Sequence, residues 1–121
     1  MTQHIDQSVS SLGKVEITPE VLSVIASIAT SEVKGLHGLF ADFKATTLEK
    51  FGKKNLSKGI KLETKDDGIY IDVYCSFKYG VKISETAHEI QEAINHALIT
   101  MTSIEPRQIN VHITHIEIEN K

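Results

Sequence analysis

The stretch that most constrains the fold is Gly59–Tyr79. Ile60, Leu62 and Thr64 point one way along it, and Lys61, Glu63 and Lys65 point the other. Past Asp66-Asp67-Gly68 the alternation resumes. Ile69, Ile71, Val73, Cys75 and Phe77 share one face, and Tyr70, Asp72, Tyr74, Ser76 and Lys78 share the opposite one. Successive strand side chains point to opposite faces, so the pattern predicts two half-buried antiparallel strands. Gly68 allows the reversal because it takes positive φ without Cβ strain. A sheet of this kind needs a layer covering its apolar side, and the rest of the chain must supply it.

Two segments have the period of such a layer. Thr18-Pro19-Glu20 opens a helix running to about Glu32: Thr18 is placed to cap, Pro19 suits the first turn, and Glu20 suits the positive end of the dipole. Its apolar residues, from Val21 to Val33, cover more than half the circumference. The remaining strip, Ser23, Ser27, Thr30 and Ser31, carries no charge, unlike an ordinary solvated face. It reads either as a second packing contact or as a merely small polar face. The second helix follows Gly80-Val81-Lys82, with Ser84 as the expected cap. Ile83, Ala87, Ile90, Ile94, Ala97, Met101 and Ile104 recur at steps of four and three. Three heptads favour a core-facing helix over a coiled coil.

Short strands complete the order. Lys14–Ile17 precedes the first helix, and Val33–Phe40, with its two glycines, ends that helix and starts a second short strand. Glu105-Pro106-Arg107 breaks the second helix. Ile109, Val111 and Ile113 then share a strand face, but Ile116 and Ile118 fall on the wrong parity, which a bulge near Thr114–His115 explains. The predicted class is α+β, in the order β-α-β-β-β-α-β, with a central antiparallel hairpin and both helices on one face of a small sheet. The other face would carry Tyr70, Tyr74, Asn110 and His112, too polar for a second core and aromatic enough for a contact surface. Residues 1–12 read as a flexible tail, and 13–121 as one domain.

Charge and composition exclude more than they select. A net charge of −3 gives no global attraction to nucleic acid or membrane. No apolar run approaches the ~20 residues of a membrane span. Residues 1–13 lack the order of a signal peptide, so a cytoplasmic location is expected. The single cysteine, Cys75, falls on the apolar strand face and reads as a packed core thiol. His37, between small residues, reads as structural. His88, Glu92 and His96 lie on one side of the second helix, but the two histidines are about 11–12 Å apart along the axis and cannot share an ion. His88-Glu89-Ile90-Gln91-Glu92 is not HExxH. No G-x-S-x-G or phosphate-binding glycine motif occurs. The sequence therefore nominates no catalytic, cofactor-binding or metal-ligating residue, and an enzyme is not expected.

Residues 40–58 offer the clearest contact candidate. Lys44, Lys50, Lys53, Lys54 and Lys58 oppose only Asp42 and Glu49, and Phe40, Phe43 and Phe51 are interleaved with them. Basic residues among aromatics suit an anionic membrane surface, an RNA or an acidic protein. The plainer account has the phenylalanines plugging the core edge and the lysines keeping the loop solvated. Thr46 or Thr47 could start one helical turn ending at Gly52. Gly52-Lys53-Lys54-Asn55 resembles a KH-type loop, but its last position is Asn and the element order does not fit. The candidate partner-binding residues are Phe43, Lys44, Lys50, Phe51, Lys53, Lys54, Tyr70 and Tyr74.

An ordered set of short stretches carries a family resemblance. Gly13-Lys14-Val15-Glu16-Ile17-Thr18-Pro19-Glu20-Val21, Glu32-Val33-Lys34-Gly35-Leu36, Ser57-Lys58-Gly59-Ile60, Ile71-Asp72-Val73-Tyr74, Tyr79-Gly80-Val81-Lys82-Ile83 and Ile109-Asn110-Val111-His112-Ile113 together resemble the alkaline-shock protein family of Gram-positive bacteria. The resemblance covers about residues 13–118. It implies a small cytoplasmic α+β domain linked to envelope stress, without catalytic residues, some relatives being held at the membrane by an anchored partner. Glu16–Glu20 and Phe51–Asn55 look most like a subgroup often encoded beside acetyl-CoA carboxylase subunits. The resemblance thus implies partners among carboxylase subunits or a membrane-anchored protein, and a regulatory role in fatty-acid synthesis. Self-association is expected separately, from the uncharged Ser23, Ser27, Thr30 and Ser31 strip and from the Tyr70 and Tyr74 face.

Overall fold

The computed structural model describes residues 5–10, 12–39 and 59–118. Its elements are β1 (Ile5–Ser10), β2 (Gly13–Ile17), α1 (Pro19–Ser31), β3 (Leu36–Leu39), β4 (Ile60–Lys65), β5 (Gly68–Lys78), α2 (Ile83–Thr102) and β6 (Gln108–Glu117). The fold is α+β, as the sequence predicts, with one strand added at the start. Ile5–Ser10 pairs antiparallel with Gly13–Ile17, where the sequence reads only a tail. β2 corresponds to the predicted Lys14–Ile17 strand, whereas β1 carries only Ile5 and Val9 as apolar residues, too few for a periodic signal.

β5 is the spine of the main sheet. β6 runs parallel to it along one edge, from Tyr70↔Gln108 to Lys78↔Glu117. The other edge is shared end to end. β4 pairs with Gly68–Val73, and β3 pairs with Cys75–Phe77. Leu39 thus faces Cys75 and Ile60 faces Val73, about 7 Å apart along one strand. Residues 40–58 join these two points. The helical turn read at 46–51, and the contact candidates Phe43, Lys44, Lys50, Phe51, Lys53 and Lys54, lie outside the described residues.

The β4–β5 connection has only Asp66 and Asp67 between the paired Lys65 and Gly68. Both aspartates keep negative φ while Gly68 takes +143°, so the glycine alone carries the unusual backbone. Thr114 is the extra residue of β6: Cys75 faces Ile113 and Ser76 faces His115. This is the bulge expected from the parity break, and it returns Ile116 to the apolar side opposite Phe77.

Both helices cover that side. Ile69, Ile71, Val73, Cys75 and Phe77 meet Leu22, Ile25, Ala26 and Ala29 of α1 and Ile90, Ile94 and Leu98 of α2 in one core. Gly35, at φ +92°, brings the end of α1 against the start of α2: a Cβ there would lie 3.0 Å from Val81 Cγ1. The two helices therefore pack antiparallel.

Several local expectations need correction. Neither Thr18 nor Ser84 caps through its side chain. Thr18 serves through its carbonyl, which accepts from Val21 N at 3.0 Å. The second helix begins one residue before Ser84, with Lys82 at its N-cap. Ile83 and Met101, assigned to the core stripe, are exposed: the buried face of α2 runs through Thr86, Ile90, Ile94, Leu98 and Thr102 at steps of four, and Met101 lies beside it. The hydroxyl strip of α1 is turned inward. Ser23, Ser27 and Thr30 are buried, and only Ser31 remains exposed. Thr30 Oγ1 donates to Ala26 O at 2.7 Å, which lets a polar residue sit in an apolar contact. That strip is not available as a surface for self-association.

Candidate functional site

The side of the main sheet opposite the helices is the candidate site. Strand alternation sends Tyr70, Asp72, Tyr74, Ser76 and Lys78 of β5 to this side. Lys61, Glu63 and Lys65 of β4 flank them, as do Asn110, His112 and His115 of β6. Of the sequence-nominated contact residues, Tyr70 and Tyr74 are here, as predicted. They are four residues apart on a strand, about 13 Å, so they form two patches with Asp72 between them.

The central patch is held by direct cross-strand neighbours. Tyr74 and His112 are register partners, and their rings stack at 4.5 Å with planes 13° apart. Asp72 faces Asn110 in the next aligned pair. Its Oδ1 accepts from Asn110 Nδ2 at 3.2 Å and from His112 Nε2 at 2.9 Å. An ionised carboxylate only accepts, so Nε2 carries the proton. The His112 contact, with Asn110 and the charge of Lys61 assisting, holds the Asp72 carboxyl below its ordinary pKa, against some desolvation. The stacked ring is thereby fixed in tautomer and tilt.

The second patch lies at the hairpin. Tyr70 OH donates to Asp67 Oδ2 at 2.8 Å, and the Lys65 ammonium lies 4.5 Å from the Tyr70 ring centroid. Arg107 Nε reaches the same Asp67 oxygen at 3.6 Å. The Tyr70 hydrogen bond is the main cause of a lowered Asp67 pKa. At the far end of the face, His37 Nδ1 lies 3.2 Å from Ser76 Oγ, and His115 Nε2 lies 3.3 Å from Glu117 Oε1.

Charge on this side is mixed. Lys61, Lys65, Lys78 and Arg107 are matched by Glu63, Asp67, Asp72 and Glu117. Among the described residues no three His, Cys, Asp or Glu side chains come together as a metal site. Cys75 lies beneath the face, fully buried, and burial pushes its thiol up to about 11. His88 and Glu92 form an exposed pair at 3.1 Å on α2, remote from the sheet. No helix among the described residues is long and apolar enough to cross a membrane.

Sequence reasoning placed the tyrosines but missed what positions them. The Tyr74–His112 stack needs the parallel register of β5 and β6. The anchoring of Tyr70 needs a carboxylate in the turn and an arginine from beyond α2.

The main sheet carries both helices on one side, with β5-α2-β6 as its parallel crossover, and an ordered aromatic face on the other. The chain belongs to the alkaline-shock protein 23 family, described as having a cell envelope-related function, which it matches over residues 7–118. It is similar to the uncharacterized protein YqhY of Bacillus subtilis (strain 168), with 46% identity over 97% of this chain and 87% of that one. An uncharacterized protein of Streptococcus pyogenes serotype M6 is 35% identical over 89% of this chain and 82% of its own. The uncharacterized protein YloU of B. subtilis is 26% identical over 89% and 92%. No solved structure matches significantly.

Proposed function

We propose that the protein is a non-catalytic binding module that serves the envelope-related function of its family by engaging a protein partner through the open sheet face. The observation that carries this reading is the Tyr74–His112–Asp72 arrangement. It is an aromatic pair, partly open to solvent, whose orientation is already set by hydrogen bonds within the chain. Pre-set aromatic groups lose little freedom on binding, which is what an anchor in an interface needs. The balanced charge of the face supports a protein surface rather than RNA or an anionic membrane, since polyanion binding requires a local excess of Lys and Arg. A polyanion would have to be met by the lysines of residues 40–58.

A carboxylase subunit of fatty-acid synthesis and a membrane-anchored protein are the two partner classes to separate. Immobilised wild-type protein and a Tyr74→Ala/His112→Ala variant should be compared against extracts of a Gram-positive bacterium. A partner kept by the first and lost by the second supports the reading, and its identity chooses between the classes. Equal recovery by both proteins removes the sheet face from consideration. Turnover of a metabolite by the purified protein overturns the non-catalytic reading.

A further inference from the structure

The helical layer has a second surface unlike an ordinary solvated one. Because α1 buries its hydroxyl side, it leaves Val21 and Ile28 outside, Ile28 with 53% of its surface exposed. Met101 of α2 is 67% exposed. Between the helices runs a groove of about 570 Å³. Ile25, Ile28 and Ala29 form one wall, and Ala93, Ala97 and Met101 the other. The polar side chains on its edge are Glu32 and His96.

The acidic and basic side chains carried by the two helices have one sign. Glu20 and Glu32 belong to α1 and its C-cap, and Glu85, Glu89 and Glu92 to α2. No Lys or Arg occurs from Pro19 to Glu32 or from Ile83 to Thr102. Glu89 stands one turn before Ala93, on the groove side of α2. A second copy of this surface would set carboxylate against carboxylate, which disfavours self-pairing here. The walls are helix surfaces whose backbone groups are bonded within each helix, so there is no strand edge to extend. Rows of apolar side chains one turn apart suit a third helix lying along the groove.

We propose that the α1–α2 groove receives an amphipathic helix of a partner protein, with apolar side chains at i, i+3, i+4 and i+7 and Lys or Arg on its flanks. This site is separate from the sheet face and lies on the opposite layer of the fold.

The probe is a synthetic fluorescent peptide of that pattern, with leucine anchors and lysine flanks, titrated against the full chain by anisotropy. The same peptide with glutamate flanks and a scrambled lysine peptide are the comparisons. The lysine peptide should bind with a Kd of about 100 μM or tighter, weaken with salt, and exceed both comparisons about 10-fold. Ile28→Ser with Met101→Ser should weaken it by about 10-fold with the melting temperature held, both side chains being largely exposed. Glu32→Lys with Glu89→Lys should erase the preference for lysine flanks while leaving the walls intact. No binding at that level, equal binding of the three peptides, or indifference to the Ile28 and Met101 changes would overturn the proposal. A dimer seen by light scattering that Ile28→Ser dissolves would also overturn it, assigning the groove to a second copy.

Discussion

Tyr74 and His112 lie face to face across the parallel β5–β6 pair, and the Asp72 carboxylate holds the ring of His112 from the side. The pair is a cross-strand contact as well as a candidate anchor. A double-mutant cycle on Tyr74→Ala and His112→Ala, read by urea unfolding, should return a coupling of about 0.5–1 kcal/mol. Strict additivity would mean that the rings do not stack in solution.

Asp72 gives the stack a pH dependence at the acid end. Its pKa is lowered in the folded chain, chiefly by His112, so its contribution is complete above the ordinary value of 3.8. That contribution is lost as pH falls through the lower, folded-state value. Asp72→Asn should therefore flatten the acid limb of a stability–pH curve. An unchanged limb would assign acid sensitivity to other carboxylates.

Cys75 acts at the opposite end of the scale. Its thiol is raised from 9.0 to about 11 by burial. Between those values the unfolded thiol ionises while the folded one keeps its proton, so stability should fall as pH rises. Maleimide labelling at neutral pH should follow the rate of unfolding. Labelling of the native protein within minutes would place the thiol in reach of solvent.

The core makes a contrast within one residue type. Ile94, fully buried, should cost about 2–5 kcal/mol on truncation to alanine. Ile28, more than half exposed on α1, should cost at most about 1 kcal/mol. Similar losses at the two sites in chemical denaturation would mean that α1 is rotated from the orientation described.

Gly35→Ala should destabilise by about 1–2 kcal/mol from its positive φ alone, and by more because the new Cβ meets Val81. Val81→Ala in the same chain should relieve only the second part. Full rescue, measured by thermal melting, would show that the backbone conformation costs nothing here.

The parts of the fold legible in the sequence are those where one side is buried and the other is not. β5 alternates cleanly because Ile71 and Val73 face the helices while Asp72 and Tyr74 face away. The bulge at Thr114 was readable because Ile113 and Ile116 must both reach the core. The rotation of α1 was only half readable: the uncharged strip allowed a packing contact without selecting it, and the burial of Ser23, Ser27 and Thr30 selects it. Ser23 and Thr30 look like surface residues, but a hydroxyl that can return its proton to the preceding turn packs like a small apolar group. Of the β1–β2 ladder, β2 was readable from the alternation of Val15 and Ile17, while β1 was not, because Ile5 and Val9 alone make no pattern. Tyr70 and Tyr74 could be assigned to one face by parity. Their partners, Asp67 and His112, depend on turn geometry and register, which no local pattern encodes.

The shared edge of β5 has a consequence for how this scaffold tolerates change. The ladder reads Leu39 opposite Cys75 and Ile60 opposite Val73, whatever length of chain joins them. Loop-closure entropy grows only slowly with length, so lengthening that join costs little in closure entropy. A reporter, an affinity tag or a foreign recognition segment placed between Leu39 and Ile60 would be displayed from the middle of a sheet edge, with the strands on either side left in register.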